Sequence, residues 1–432
     1  MRRTREILAQ ASAIRTTRRA LCDTSSAFSV FLSPHPSALI PQVAIALVLL
    51  LSAVTFVSLK GARVLMTLFA IDLGAGPLAT GFLFAFYGLL PALLVVHAGR
   101  IADQIGNRIL MYVGFAAFAC ALTLPALVSS LPMLFVASPL IGITSMIFIV
   151  CTQNLIGTLS TAQTRTRNYS YYALTDSTGN VLGPVLVGFA IDGFGHPSTY
   201  YILAAIAAAC LVIFHFNRYH IPARSGVVDV SARGSMTELL RIPALRNALL
   251  TNAMVMTGID LYNVYMPLYT RGIGLSASEI GLIIGAFGAA GFLVRLLIPP
   301  VTARWGEHAM IAAAFVIACF AFVAIPFTES PWLLGAASFV VGLGLGCGQP
   351  LSMVLSFNAA PPGRSAEAIA MRMAVSYSAH VVIPSVFGAL GTLIGIAPVF
   401  WTCAVMMGGG AALNRRAGSK RKDEGGGRRA EE

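Results

Sequence analysis

Apolar runs of about 20 residues, separated by a few polar ones, fill this chain from residue 44 onward. A helix of that length crosses the ~30 Å hydrocarbon core of a bilayer, and a helix satisfies its own backbone N–H and C=O groups where no water can. The runs lie near 44–70, 79–98, 109–128, 131–154, 169–190 and 198–217. A second set follows near 246–269, 280–300, 309–327, 332–356, 366–388 and 394–414. They predict an all-α integral membrane protein with twelve transmembrane helices. With 57% of residues hydrophobic and only 11% charged, the chain has no polar coat to offer water. Soluble domains carry about 25% charged residues.

Between the two sets runs FNRYHIPARSGVVDVSARGSMTELLRIPALRN, a polar stretch holding Arg218, Arg224, Arg233, Arg241 and Arg246. The expected organisation is a basic tail (1–43), a six-helix bundle (44–217), a linker (218–245), a second bundle (246–414) and a disordered tail (415–432). If the N-terminus is cytoplasmic, 24 of the 29 Lys and Arg fall in cytoplasmic segments and only Arg271 in an outside loop. Positive charge is retained on the cytoplasmic side of a membrane, so both termini are expected there, in an inner membrane. The net charge of +12 is thus a topology signal and not a nucleic-acid footprint. The first 38 residues are Arg- and Ser-rich and poor in acids, like a transit peptide, but lack the apolar core of a secretory signal.

A shift of the sequence by 200 places Gly81 on Gly281, Gly88 on Gly288, Gly106 on Gly306, Gly142 on Gly342, Pro184 on Pro384 and Gly188 on Gly388. One offset aligning these positions predicts two pseudo-symmetric bundles with a binding site between them near mid-membrane.

Two motifs interrupt the apolar pattern. HAGRIADQIGNR, from His97 to Arg108, links the second and third spans on the expected cytoplasmic side. Gly99 permits close helix approach, Asp103 is placed to meet the positive end of a helix, Gly106 closes a tight turn and Arg108 opens the next helix. With Ile101 and Ala102, these residues resemble the loop signature of the major facilitator superfamily, G-x-[LI]-[AS]-D-x-x-G-x-[RK]. Members usually carry basic residues where this chain has Gln104 and Asn107. The second half, PPVTARWGEH, keeps Gly306 and has Ala303 in place of the Asp. The resemblance, over about residues 44–414, implies two bundles that rock about a central site and a loop that latches onto the opposite half in the outward-facing state. Asp103→Asn is therefore expected to leave membrane insertion intact and slow turnover. Unchanged turnover in proteoliposomes would reduce Asp103 to a helix cap.

The second motif, GNVLGPVLVG, places Gly179, Gly183, Pro184 and Gly188 in the fifth span. It is similar to the antiporter motif of drug exporters in this superfamily, with Val187 where a Gly is expected. Exporters often carry an Arg four residues before a glycine in the fourth span, and here Ser138 precedes Gly142. Close helix packing accounts for these glycines equally well.

Ionisable residues inside lipid are costly and face a cavity or a partner. Here they are Lys60 and Arg63 in the first span, Asp176 in the fifth, Asp260 in the seventh, Arg295 in the eighth and Arg372 in the eleventh, with His97 and His380 as weaker additions. Lys60 and Asp260 stand one repeat apart, and the pseudo-twofold predicts that they face each other. Asp176 is near Arg165 in sequence, and Arg295 is close enough to its span's end to snorkel. Tyr87, Asn252, Tyr262, Asn263, Tyr265 and Gln349 are polar or aromatic neighbours. Four fixed cations against two anions favour an anionic solute, gripped by Lys60, Arg63 or Arg372 while Asp260 exchanges a proton.

The expected function is a secondary, proton-coupled carrier of a small organic anion, acting as a monomer in the lipid bilayer without cofactor or metal. The alternatives are a multidrug or metabolite efflux antiporter and, from another class, a non-transporting membrane receptor or enzyme. The seven cysteines show no paired spacing, and no catalytic cluster or phosphate-binding loop is present, which argues against an enzyme or an ATP-driven pump.

Overall fold

A computed structural model describes residues 36–161, 163–221, 236–361 and 364–430. Side chains are described except at 36–41, 95–104, 166, 220, 236–237, 365–367, 369–370 and 419–430. The chain divides into Met1–Ala44, of which only helical residues from 36 onward are described, and a compact unit, Ile45–Glu432. The contacts and cavity described below belong to the latter.

Helices α1 (Pro36–Asp72), α2 (Pro77–Ile105), α3 (Asn107–Leu127) and α4 (Leu131–Leu159) follow one another through short turns. Arg165–Asn217 forms a 53-residue run, but Gly195 within it has φ 78° and ψ 170°, which no helix accommodates. Were the run straight, Tyr172 and Phe214 would stand roughly 60 Å apart at 1.5 Å per residue. Instead they end one aromatic chain, Tyr172–Phe56–Phe148–Phe115–Phe214, with successive ring centroids 5.5, 5.9, 5.6 and 5.9 Å apart. The run is a hairpin of α5 (165–194) and α6 (196–217).

A one-turn helix, Met236–Leu239, follows, and Leu239, Leu245 and Leu249 pack with Ala368 and Met371 to seat the end of the linker on the second half. Then come α7 (Pro243–Gly272), α8 (Ala277–Trp305) and α9 (Glu307–Ala324). The halves of α10, Pro331–Gly346 and Gly348–Ala359, meet at Cys347, and α11 (Ser365–Ile394) and α12 (Ala397–Ala430) complete the chain. No strand occurs among the described residues.

Among the described residues, nine helical stretches are long and apolar enough to cross a membrane. The difference from the expected twelve has a physical origin. The α5–α6 hairpin is one continuous stretch, and α7 and α12 fall short in hydropathy. In α7 the reason is a row of buried polar groups, Thr251, Asn252, Thr257, Asp260 and Thr270. Two boundaries also move. α1 begins at Pro36, ahead of 44, and α12 runs to Ala430, so the tail read as disordered from 415 is helical there.

The repeat is written into the backbone. The described glycines with positive φ are Gly74 and Gly274, Gly106 and Gly306, Gly195 and Gly395, three pairs at the same offset with φ from 78° to 93°. Contacts repeat as well. A Cβ at Gly142 would stand 2.0 Å from the Tyr87 carbonyl oxygen, and one at Gly342 2.3 Å from that of Phe287, packing α4 on α2 and α10 on α8. A Cβ at Gly81 would stand 2.2 Å from the Pro384 oxygen, and one at Gly281 2.5 Å from that of Pro184. These last contacts join the halves, α2 against α11 and α5 against α8.

The turns after odd-numbered helices define one face of the bundle, the odd-loop face, and the turns after α2 and α8 belong to the other, the even-loop face. On the odd-loop face Asp72 of α1 pairs with Arg271 of α7, and Asp192 of α5 accepts hydrogen bonds from the start of α8, so the halves are closed together there.

Candidate functional site

Between the halves lies a cavity of about 30 Å³, room for a water or two. It is lined by Lys60, Arg63 and Val64 of α1, Asn180 and Pro184 of α5, Asn263 of α7, and Ile284 and Phe287 of α8. Lys60 and Arg63 reach it together because residues three apart share a helix face. The repeat is visible again: Asn263 is the counterpart of Arg63, and Ile284 and Phe287 are those of Phe84 and Tyr87. The Arg63 guanidinium lies 5.5 Å from the Phe84 ring centroid and 4.9 Å from that of Tyr87. Its Nε is buried without a hydrogen-bond partner, and no acidic residue pairs with it among the described residues.

The expected meeting of Lys60 with Asp260 does not occur. Lys60 Nζ lies 3.0 Å from Asp176 Oδ1, whose other oxygen is 3.8 Å from Arg295 Nη2 across the α5–α8 seam. Asn180 donates to Asp176 Oδ2 at 3.2 Å. Asp176 therefore pairs with Lys60 and not Arg165, because Arg165 starts α5 while Asp176, three turns on, faces α1. Arg295 does not snorkel. Its Nη1 donates to the Ala173 carbonyl at 3.1 Å and to the Ser177 hydroxyl.

Asp260 has a different partner, His380 of α11, with Nδ1 2.6 Å from Oδ2. The carboxylate is 2% exposed and the imidazole 26%, so the dyad is wetted only on the His380 side. His380 is the repeat counterpart of Asn180. Each half thus joins its first and fifth helices by a polar pair, with the acid on opposite members: Lys60 on α1 with Asp176 on α5, Asp260 on α7 with His380 on α11. Gly88 lets His380 approach, since a Cβ there would stand 3.2 Å from the His380 Cβ.

A third cluster lies within the second half. Arg372 Nη1 donates to Asn252 Oδ1 at 3.0 Å, which also accepts from Ser352 at 3.1 Å, while Asn252 Nδ2 donates to Ser376 at 2.9 Å. Arg372 Nε is buried and unpartnered. Gln349 reaches only the Met256 sulfur at 3.5 Å, so it is held within this half and does not line the cavity.

A sequence model of the Major Facilitator Superfamily matches residues 48–245 and 248–431. The chain belongs to that superfamily. It is 25% identical over 286 residues to a multidrug resistance protein, MdtG, of Dickeya zeae, covering 64% of this chain and 69% of that one. It is 23% identical over 293 residues to a multi-drug resistance efflux pump PmrA homologue of Lactococcus lactis, covering 63% and 68%. Among solved structures, a bacterial homologue of the human lysosomal transporter Spinster, inward-facing and occupied, superposes with a TM-score of 0.73 at 13% identity, covering 90% of this chain and 98% of that one. The nucleoside transporter NupG matches with a TM-score of 0.72 at 13% identity, covering 86% and 99%. The protein is a multi-pass membrane transporter.

The superfamily's loop signature takes its expected backbone form. Gly99 and Asp103 lie in α2, Gly106 at φ 93° forms the break, and Arg108 opens α3. The Asp103 side chain is outside the described residues. Arg108 Nη2 donates to the Ile221 carbonyl after α6, so this arginine ties α3 to the start of the linker. The second superfamily-like motif divides between two jobs. A Cβ at Gly179 would stand 2.6 Å from the Phe56 Cβ and one at Gly183 2.7 Å from the Val57 oxygen, which packs α5 on α1. Pro184 faces Gly281, and a Cβ at Gly188 would stand 2.4 Å from the Ala277 oxygen, which packs α5 on α8 of the other half. Ser138 is buried and donates to the Leu83 carbonyl at 2.7 Å, an α4–α2 packing contact away from the cavity lining.

Sequence reasoning passed over Asn180 and Phe287 as cavity residues and underweighted His380. The offset held the signal for Asn180, since it is the repeat position of His380.

Proposed function

We propose that this transporter is a secondary carrier that binds a small solute through an anionic group beside Arg63 and moves it by alternating access, with protons exchanged at the Asp260–His380 dyad. One observation carries the reading: a guanidinium in the cavity between the halves has a buried N–H without an acceptor. Leaving a charged donor unsatisfied in a site shielded from water is costly, and a carboxylate or comparable anion would relieve that cost. Lys60 and Arg295 share Asp176, and Arg372 is bonded to Asn252 away from the cavity lining, so Arg63 is the cavity cation without an acidic partner among the described residues, with Asn180 and Asn263 as neutral hydrogen-bonding groups. The Lys and Arg distribution supports an orientation with the even-loop face and both termini in the cytoplasm.

In proteoliposomes under an imposed proton gradient, benzoate is the expected mobile probe. Arg63→Gln should lower its flux roughly 30-fold or more, as expected for loss of about 2 kcal/mol of charge pairing. Benzoate flux that is absent, or equal in the variant, removes Arg63 from the site.

A second reading, multidrug efflux, is favoured by what the relatives from Dickeya zeae and Lactococcus lactis are called. Its sign is gradient-driven movement of ethidium, a lipophilic cation, with no benzoate flux.

A further inference from the structure

Arg63 gives the cavity its unpaired charge from the first half, and α8 lines the same cavity from the second. Ile284 and Phe287 stand about one turn apart on α8 and share a helix face. Glycines hold that helix close to α5: a Cβ at Gly288 would stand 2.4 Å from the Asn180 carbonyl oxygen, and one at Gly285 2.7 Å from the Val185 Cγ2. Val64 and Pro184 add further apolar surface to the lining.

The two halves use repeat-equivalent positions differently. In the first, the Arg63 guanidinium lies over the Phe84 and Tyr87 rings. In the second, Asn263 stands at the place of Arg63, is neutral, and donates back to the Ile259 carbonyl of its own helix at 2.8 Å. Among the described residues no Lys or Arg lies over Phe287, the counterpart of Tyr87. One face of the Phe287 ring is stacked on buried Tyr262, with centroids 4.4 Å apart and planes 19° from parallel. Phe287 is half-buried, so the surface it gives to the cavity lies away from Tyr262.

One small cavity therefore joins a cation whose buried Nε lacks an acceptor to an aromatic ring that no cation covers, one from each half. A bare anion such as acetate would satisfy Arg63 and leave the surface of Ile284 and Phe287 without a partner. A sugar would press its hydroxyls against that surface unpaired, at a desolvation cost. A second ring, offset-stacked or edge-on, gains more from Phe287 than area burial alone provides. We propose that the solute is an aromatic carboxylate or comparable aryl anion, with its charged group on Arg63 and its ring against Phe287, which makes Phe287 the specificity-determining residue. The inference rests on the reading of Arg63 as the anion site and deepens it. Because each half supplies one of the two contacts, a solute needs both groups to bridge the seam.

The test is calorimetric titration of the full-length protein in lipid nanodiscs with benzoate, cyclohexanecarboxylate and acetate, where specific binding is the component lost in Arg63→Gln. Benzoate should bind on the order of tenfold more tightly than acetate, because its ring leaves water. It should also bind about threefold more tightly than cyclohexanecarboxylate, which has the same number of carbons but cannot stack. Phe287→Leu keeps an apolar side chain and removes the ring. In that variant the preference for benzoate over cyclohexanecarboxylate should vanish, while both still bind more tightly than acetate. If thermal unfolding shows that the variant does not fold, the wild-type ranking decides by itself. Acetate binding as tightly as benzoate, cyclohexanecarboxylate matching or exceeding benzoate, or a benzoate preference that survives in folded Phe287→Leu overturns the aryl assignment and leaves Arg63 as an anion site. Absence of Arg63-dependent binding for all three removes the anion site itself, and the aryl assignment with it.

Discussion

Asp260→Asn is expected to abolish proton-driven accumulation of solute while the protein still inserts, folds and equilibrates solute down its own gradient. The Asp260 carboxyl and the His380 imidazole are 2.6 Å apart, a direct contact between two ionisable side chains. Asparagine keeps the size and hydrogen-bonding ability of the carboxylate but cannot ionise, so the substitution would end the proposed proton exchange at the dyad while retaining its packing. The loss of a proton-transferring group is worth roughly 10² to 10⁴ in rate, and the driven component of uptake should fall by at least the lower figure. The measurement compares probe uptake in proteoliposomes with and without an imposed pH difference. Accumulation that survives the substitution would remove Asp260 from coupling.

The second large effect distinguishes glycines inside one half from glycines between the halves. At Gly142 a Cβ would meet the Tyr87 carbonyl oxygen at 2.0 Å, within the first bundle. Backbone cannot swing aside like a flexible side chain. Gly142→Val is therefore expected to destabilise the bundle by about 1–3 kcal/mol, the usual cost of overpacking, and to lower its melting temperature. At Gly81 the obstruction is equally severe, 2.2 Å from the Pro384 oxygen, but it lies on the α2–α11 seam. Gly81→Val should leave the melting temperature near wild type and instead prevent the halves from closing at the odd-loop face. The readouts are thermal unfolding and thiol labelling at Ser129→Cys. Equal destabilisation by both would mean that the halves do not move as separate bodies.

These contrasts bear on what a sequence can reveal. The offset of 200 identified the packing glycines correctly, because a close helix contact demands the same small residue in each copy of a repeated design. The turn glycines at 74, 195, 274 and 395 obey the offset too, because a left-handed backbone leaves few residues to choose from. The charges were legible as residues worth notice but not as pairs. The repeat argued for Lys60 with Asp260, yet each found its partner within its own half, on the fifth helix of that bundle. Arg271 read only as an isolated basic residue in a loop, and its bidentate hold on Asp72 depends on two helix ends meeting across the seam.

Membrane insertion, the helical class, the two-part repeat and the superfamily were determined by the sequence alone, since each follows from local hydropathy, residue size or motif spacing along the chain. The tertiary structure decided which charge neutralises which. Asp260 and His380 are 120 positions apart, and whether they touch is set by how α7 and α11 rotate and pack. Partner choice at that separation depends on helix packing in three dimensions, which no spacing along the chain encodes.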